Sequence, residues 1–367
     1  MTLRVTYVQS HLFMGSTEKY LSDLIAGLDR DRFAPSLVCP DAESLAPLRE
    51  SVSARTLTVP AVQSVPGRIA SLRHAIRAAR GDIVHSADFD PAALLAARVA
   101  GSRHVVVTYN TPELRPSFNA VGRAIVRAAW ATRPWTIFTS DADRRTAIAR
   151  DPVDAGRTAV IPFGFDVAAF ARGGDRAATR AELGVREGAT VVGTVGLLRE
   201  QKRHVDLLRA FEQVRHGRPE LELVIVGDGP LRAELESEVR ARGLDAVVHL
   251  PGLRDDIPAV LAAFDLFALS SAFEGMCYAV AEALAAERPV VATAVGGVPQ
   301  SVVDGVTGLL APAEDVHALA AGIERLLADP SLASRLATAG RARVQELYAL
   351  DTMAERTQQL YERISAA

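Results

Sequence analysis

The sequence predicts an α/β protein made of two doubly wound parallel sheets, each covered by helices on both faces. Three observations carry this expectation. Short apolar runs alternate with amphipathic stretches along nearly the whole chain, the pattern of strands buried on both faces and joined by helical crossovers. The alternation comes as two successive series, and 367 residues suit two domains better than one. Hydrophobic residues make up 49% of the chain, enough for substantial cores.

In order, LRVTYVQ reads as a first strand, followed by a glycine-containing loop and the helix-like EKYLSDLIAGL. APSLVCP, ARTLTVP, DIVHSA, HVVVTYN and TIFTS read as further buried strands. Glycine and charge interrupt the pattern in ARGGDRAATRAELG, residues 171–184, where the domain break is expected. ATVVGTVG, LELVIVGDG, VVHLPG, LFALSS and PVVATAV then repeat the rhythm. The terminal LYALDTMAERTQQLYERISAA reads as a helix whose Leu350, Met353, Leu360 and Tyr361 form a broken apolar stripe. The expected organisation is a first domain over residues 1–170, a second over 171–345, and a helix over 346–367 packing back on the first. No internal repeat or low-complexity segment stands out.

A formal charge of −3 argues against nucleic acid as a partner. The balance is uneven: residues 1–170 hold 20 Lys+Arg and 16 Asp+Glu, a net +4, and residues 171–367 hold 21 and 28, a net −7. The basic half suits an anionic substrate or a peripheral membrane contact. Cys39 and Cys277 are isolated, without metal-type spacing, and fit a reducing cytoplasm, a single disulfide being the alternative. The N-terminal stretch lacks a long apolar signal region, and no apolar run has the length of a membrane span. Lysine is rare: 39 of the 41 basic residues are arginine, leaving Lys19 and Lys202, and asparagine occurs only at Asn110 and Asn119. A rare residue that persists in such a composition is a candidate for a required one, chance survival being the alternative.

FEGMCYAVAEA, residues 273–283, carries the chemistry most directly. Glu274 follows the LFALSS strand and precedes Gly275, with a helix expected from near Cys277 to about Ala286 and Pro289 ending it. A helix mouth after a strand favours a phosphate, because its N–H groups and dipole attract anions. Gly275 lets the backbone approach closely. Glu282 lies inside the helix, so the two acids do not share a target. They are placed to accept hydrogen bonds from hydroxyls on either side of the phosphate, as a nucleotide sugar presents them. The competing reading is a charged cap and a solvated helix glutamate.

Residues 270–312, SSAFEGMCYAVAEALAAERPVVATAVGGVPQSVVDGVTGLLAP, resemble the donor-site signature of the retaining glycosyltransferase family 4, of GT-B fold. The resemblance implies two Rossmann-like domains facing across a cleft, the second holding the donor. It implies that Glu274 contacts the transferred sugar, that Glu282 holds the ribose hydroxyls, and that Gly275, Met276, Cys277 and Tyr278 supply backbone N–H groups. The run Val303 to Gly308 fits as well. MGSTEKYLSDLIAGL is similar to the family's glycine-rich first loop, which puts Gly15 and Ser16 near the donor diphosphate. IPFGFDVAAF and VGDGPLRAEL match in order, and Leu253, after Gly252, falls where backbone atoms hold the base. In GTVGLLREQKRH, Lys202 takes the family's lysine position, suited to neutralising the departing diphosphate.

Several positions depart from the family pattern. Leu197 replaces the usual arginine, and Arg199 either substitutes for it or is a solvated loop cation. VVVTYNTPEL has Asn110 where the family has histidine; asparagine orients a sugar by hydrogen bonds but is no general base. Glu287 stands where glycine is usual and Gln300 where glutamate is usual. His11, His85 and Asp88 are acceptor-side candidates, with a buried structural role equally open to the histidines. Asp88-Phe89-Asp90 and Asp141-Ala142-Asp143 imitate a D-x-D metal motif, but lie outside the inferred donor site and arise easily by chance; no metal is expected. Gly227-Asp228-Gly229 suggests a dinucleotide loop, but Arg232 stands at its third glycine.

The resemblance therefore implies metal-independent sugar transfer with retained configuration, without a cofactor. The co-substrate is a nucleotide diphosphate sugar, UDP-linked by preference or GDP-linked, and the acceptor a small-molecule, lipid-linked or saccharide hydroxyl. Lys202, Glu274, Asn110 and Arg199 are the candidate catalytic residues. A nucleotide-sugar epimerase, a sugar phosphorylase of the same fold, or a non-catalytic nucleotide-binding relative are the alternatives.

Overall fold

The computed structural model describes residues 2–10, 16–52, 54–60, 64–110 and 119–366, without the side chains of Ser16 and Ser44. His11 and Gly15, both expected near a ligand, lie outside the described residues, as does the Ser16 side chain. The chain divides into two compact units, Met1–Phe165 with Leu350–Ala367, and Asp166–Ala349.

Unit 1 runs β1 (Leu3–Val8), α1 (Ser16–Ala26), β2 (Phe33–Pro40), α2 (Ala46–Ser51), β3 (Arg55–Val59), α3 (Val65–Ala79), β4 (Ile83–Ser86), α4 (Pro91–Ala100), β5 (His104–Thr108), α5 (Ala120–Trp130), β6 (Trp135–Phe138), α6 (Asp141–Arg150) and β7 (Thr158–Val160). All pairings are parallel, in the order β3-β2-β1-β4-β5-β6-β7. The order reverses between β1 and β4. Right-handed crossovers on the two sides of a reversal put their helices on opposite faces, and α3, α4 and α5 indeed pack side by side while α1 packs with α2.

Unit 2 runs α7 (Val167–Arg172), α8 (Arg176–Glu182), β8 (Thr190–Val195), α9 (His204–Arg215), β9 (Leu221–Val226), α10 (Arg232–Ala241), β10 (Val248–Gly252), α11 (Ile257–Ala263), β11 (Leu266–Leu269), α12 (Tyr278–Ala285), β12 (Val290–Thr293), α13 (Val298–Ser301), β13 (Leu309–Ala311), α14 (Val316–Ala328) and α15 (Pro330–Tyr348). Its sheet is parallel, ordered β10-β9-β8-β11-β12-β13, and reverses between β8 and β11. Two edge strands, β7 and β13, were not anticipated from the sequence; each has three residues, too few to show an apolar run.

The units divide upstream of the expected break, between Phe165 and Asp166. The glycines that suggested a linker serve packing. A Cβ on Gly174 would lie 2.7 Å from the Ala259 Cβ, so its absence lets the turn between α7 and α8 approach α11.

The stretch read as one terminal helix is the end of α15 and a separate helix, α16 (Leu350–Ser365), which belongs to unit 1 and packs on α1. Its buried side chains are Met353, Ala354, Thr357, Gln358, Leu360, Tyr361 and Ile364. Tyr361 enters a buried polar chain: its Oη lies 2.6 Å from His85 Nδ1 and donates to Tyr7 Oη at 3.1 Å. His85 Nε2 lies 2.8 Å from Thr108 Oγ1, which is 3.2 Å from Tyr20 Oη. Burial holds His85 neutral, with its pKa lowered to about 3.

Candidate donor site in unit 2

The reversal between β8 and β11 opens a crevice at the carboxyl ends of the strands, where ligands of open α/β sheets bind. Two loops leave the sheet there. The one after β8 carries Leu197, Arg199 and, in a single 3₁₀ turn spanning Glu200–Lys202, the lysine. The one after β11 carries Ser270 to Cys277, and α12 begins at Tyr278.

The loops meet through Lys202 and Glu274, whose Nζ and Oε1 are 2.7 Å apart. The pair is secluded, with side chains 17% and 6% exposed. Burial works against the Lys202 ammonium, while the Glu274 carboxylate favours it by charge and by hydrogen bond; its pKa lies above the usual lysine value, so it stays charged. Ser271 Oγ donates to the same Glu274 oxygen at 2.6 Å. Gln201 Nε2 donates to the Phe273 carbonyl at 2.9 Å, and the Gln201 carbonyl accepts the Ala272 N–H at 2.8 Å. Ser270 Oγ donates to the carbonyls of Lys202 and Arg203 at 2.8 and 3.0 Å, tying the second loop to the first.

A third loop, after β12, supports the acid from below. Gly297 N–H donates to the Gly275 carbonyl at 3.0 Å. Gly296 has φ +51°, and a Cβ there would lie 1.6 Å from the Glu274 carbonyl oxygen, so only glycine fits. Thr293 Oγ1 donates to the Ser271 carbonyl at 2.7 Å.

Helix α12 starts from Cys277, whose side chain makes no capping bond to the first turn. Burial, reinforced by the Glu274 charge, pushes the Cys277 thiol up to about 12, so it stays protonated at neutral pH. Gly275 is buried; Met276 and Tyr278 are half-buried. Glu282 sits half-buried in the second turn of the same helix. The helix closes on Glu287, at φ +54°: Glu287 N–H donates to Leu284 and Arg288 N–H to Ala283, at 3.0 and 2.9 Å, a Schellman ending with glutamate in the glycine position.

Of the predicted residues, the structure brings Lys202, Glu274, Gly275, Met276, Cys277 and Tyr278 to one end of the unit 2 sheet. Arg199 is there also, exposed and without a carboxylate partner among the described residues. Leu197 and Leu253 are exposed, at 45% and 71%. Asn110 and Asp88 belong to unit 1: Asn110 follows β5, with its Oδ1 buried and unbonded among the described residues, and Asp88 is buried, accepting from Ser10 Oγ at 3.2 Å. His85 offers an acceptor no ring nitrogen, because both are taken and the residue is fully buried; of its two open readings, the structural one holds.

The D-x-D triplets have local tasks. Asp90 caps α4, accepting the Ala92 N–H at 3.0 Å, and pairs with Arg68 at 2.6 Å. Asp141 pairs with Arg144 and Arg145, and Asp143 accepts from Ser140 Oγ at 2.8 Å. Among the described residues no three His, Cys, Asp or Glu side chains converge as metal ligands. Sequence reasoning missed Gln201, Ser271 and Thr293. A buried carboxylate needs donors, and polar residues beside the lysine and the acid were the signal available for them.

Two parallel α/β sheets with this pair at the reversal of the second define a GT-B protein. The crystal structure of Anabaena Alr3699/HepE in complex with UDP superposes with a TM-score of 0.83 over 100% of both chains, at 25% identity. Residues 17–169 match the family described as Glycosyltransferase Family 4, and residues 175–343 that described as Glycosyl transferases group 1. The chain is 33% identical over 264 residues to a GDP-mannose-dependent alpha-(1-6)-phosphatidylinositol monomannoside mannosyltransferase of Mycolicibacterium smegmatis, covering 68% of each. It is also 33% identical over 196 residues to an alpha-D-kanosaminyltransferase of Streptomyces kanamyceticus, a match spanning 52% of this chain and 50% of that relative. The chain belongs to glycosyltransferase family 4, a family of hexosyltransferase-type enzymes.

Proposed function

We propose that the protein transfers a sugar from a nucleotide diphosphate sugar to an acceptor hydroxyl with retained anomeric configuration. The observation that carries this reading is the secluded Lys202–Glu274 pair at the reversal of the unit 2 sheet, 2.7 Å apart. In this reading the diphosphate takes the N–H groups at the start of α12 and draws the Lys202 ammonium from its carboxylate. Glu274, already held by Ser271 Oγ, accepts hydroxyls of the transferred sugar, and Glu282 the ribose hydroxyls. Arg199 adds charge at the mouth in place of the absent arginine at Leu197. Leu253 marks the base pocket.

The sugar–phosphate bond breaks as the acceptor oxygen attacks the same face, and the departing phosphate oxygen takes the acceptor proton. No side-chain base is then required, which accommodates Asn110 as a residue that orients the sugar. Asp88 and Asn110 belong to the acceptor side. The positive charge comes from Lys202, so activity persists in a metal chelator.

A UDP-sugar is the favoured donor, supported by the UDP complex of the HepE relative, and a GDP-sugar the alternative, supported by the mannosyltransferase relative. A thermal-shift screen against UDP-, GDP-, ADP- and TDP-sugars tests the donor, since a ligand that binds the native state raises its stability. Glu282→Ala weakens nucleotide affinity, and Lys202→Ala mainly lowers turnover. Wild-type donor kinetics in both variants, or an inverted product anomer by NMR, would overturn the assignment.

A further inference from the structure

Exposed arginines without a carboxylate partner among the described residues occur in both units, Arg240, Arg325 and Arg335 of unit 2 among them, but in unit 1 they gather on one layer. In unit 2, Arg203, Arg209, Arg218, Arg232, Arg242 and Arg254 all pair with carboxylates. On the layer formed by α3, α4 and α5, and on the turns that follow α3 and α4, Arg73, Arg77, Arg80, Arg98, Arg103 and Arg127 are exposed. None of these six has a carboxylate partner among the described residues. Arg77 donates to the carbonyls of Val99 and Ala100 at 3.3 Å each, which joins the ends of α3 and α4 into one surface.

The acids that might balance this face are occupied. Among the described residues from 64 to 133, the carboxylates are Asp82, Asp88 and Asp90. Asp82 is clasped by Arg4 at 2.6 and 3.0 Å, and Asp88 and Asp90 are buried. The positive field reaches the start of β5: burial lowers the His104 pKa, and the charges of Arg103 and Arg157 lower it further against the opposing charge of Asp82. The same helices expose Val99 at 50% and Val121 at 68%, the two large exposed hydrophobics of unit 1 among the described residues. The helix dipole accounts for a cation in a last turn. It does not account for the missing exposed carboxylates or for exposed valines on the same helices.

We propose that the α3–α4–α5 face of unit 1 docks on an anionic lipid bilayer. Arginine suits this task, since it lies along an apolar boundary and reaches phosphate oxygens with a planar fork. The two valines enter the headgroup region, which separates a bilayer from a soluble polyanion as the partner. The long-range attraction is electrostatic, so the docking weakens with salt. No helix among the described residues is long and apolar enough to cross a membrane, and the docking requires none.

The test uses the full chain with phosphatidylcholine vesicles, with and without phosphatidylglycerol, in a co-sedimentation assay. The expected result is binding only to the phosphatidylglycerol vesicles, reversed by salt. The triple variant Arg73→Ser, Arg98→Ser, Arg127→Ser binds about a hundredfold more weakly, at about fivefold per arginine. A control triple in unit 2, Arg240→Ser, Arg325→Ser, Arg335→Ser, has the same net charge and binds as wild type. Val121→Ser weakens binding to vesicles without changing retention on heparin. Unchanged circular dichroism and thermal midpoint establish that the variants fold. Absence of vesicle binding, equal binding to both vesicle types, equal loss in the two triple variants, or loss on heparin equal to that on vesicles would each overturn the proposal.

Discussion

Replacing Lys202 by methionine and Glu274 by glutamine, singly and together, measures whether the pair is one energetic unit. Removing one partner of a buried ion pair costs about 3–5 kcal/mol, because the other charge is left without compensation. Here Lys202 keeps 17% exposure and Glu274 keeps the Ser271 hydroxyl at 2.6 Å, so the uncompensated charge is partly solvated. Each single substitution is therefore expected to cost less, about 2–3 kcal/mol. The double variant removes both charges and keeps similar side-chain volumes, so it costs little more than either single one. The coupling energy is then about 2 kcal/mol. Urea unfolding followed by circular dichroism reads it as a displacement of the midpoint at constant slope. If the two single costs add within about 0.5 kcal/mol, the pair is two independent residues and the reasoning fails.

Three further outcomes follow from the geometry. Glu287→Gly relieves a left-handed glutamate at the end of α12; the relief exceeds the loss of the 3.5 Å contact of this exposed side chain with half-buried Arg341, so the thermal midpoint rises by the equivalent of about 0.5–1 kcal/mol. Tyr361→Phe removes the hydroxyl shared by His85 and Tyr7 and costs about 1–3 kcal/mol, with faster amide exchange along α16 if the hydroxyl anchors that helix. Burial lowers the pKa of His204, helped by the Lys202 charge, from 6.5 to about 4, and that of His85 from 6.5 to about 3. The unfolded chain binds these protons first, so stability is full above about pH 6.5 and falls as pH drops, by up to about 1.4 kcal/mol per unit per histidine. His204→Phe flattens that slope in urea midpoints measured against pH; an unchanged slope would show that His204 is protonated in the folded protein.

The central strands were legible because each is at least four residues long, mostly buried, and carries two or more consecutive apolar residues. The edge strands β7 and β13 were not, since a three-residue strand has no periodicity to read. The break was misplaced because Gly173 and Gly174 were read as loop signals, whereas Gly174 is a close-packing position against Ala259. In the site, Glu274 and Lys202 were visible as residue types, but their direct contact was not. That contact depends on two loops brought together by the reversal of strand order, which no local pattern encodes. The departure at Glu287 showed in the sequence, and its physical content, a left-handed backbone, showed only in the fold.

The placement of α16 has a consequence for how the protein is made. Unit 2 is one uninterrupted stretch of chain, whereas unit 1 is two, separated by the whole of unit 2. During synthesis the strands around Tyr7 and His85 leave the ribosome early, but the tyrosine that completes their polar chain arrives after residue 349. Domains usually mature in the order of their emergence. Here the later-starting one can close first, and the earlier one waits with an unfilled slot at its core. A nascent chain halted before Leu350 would therefore present the kind of surface that chaperones recognise.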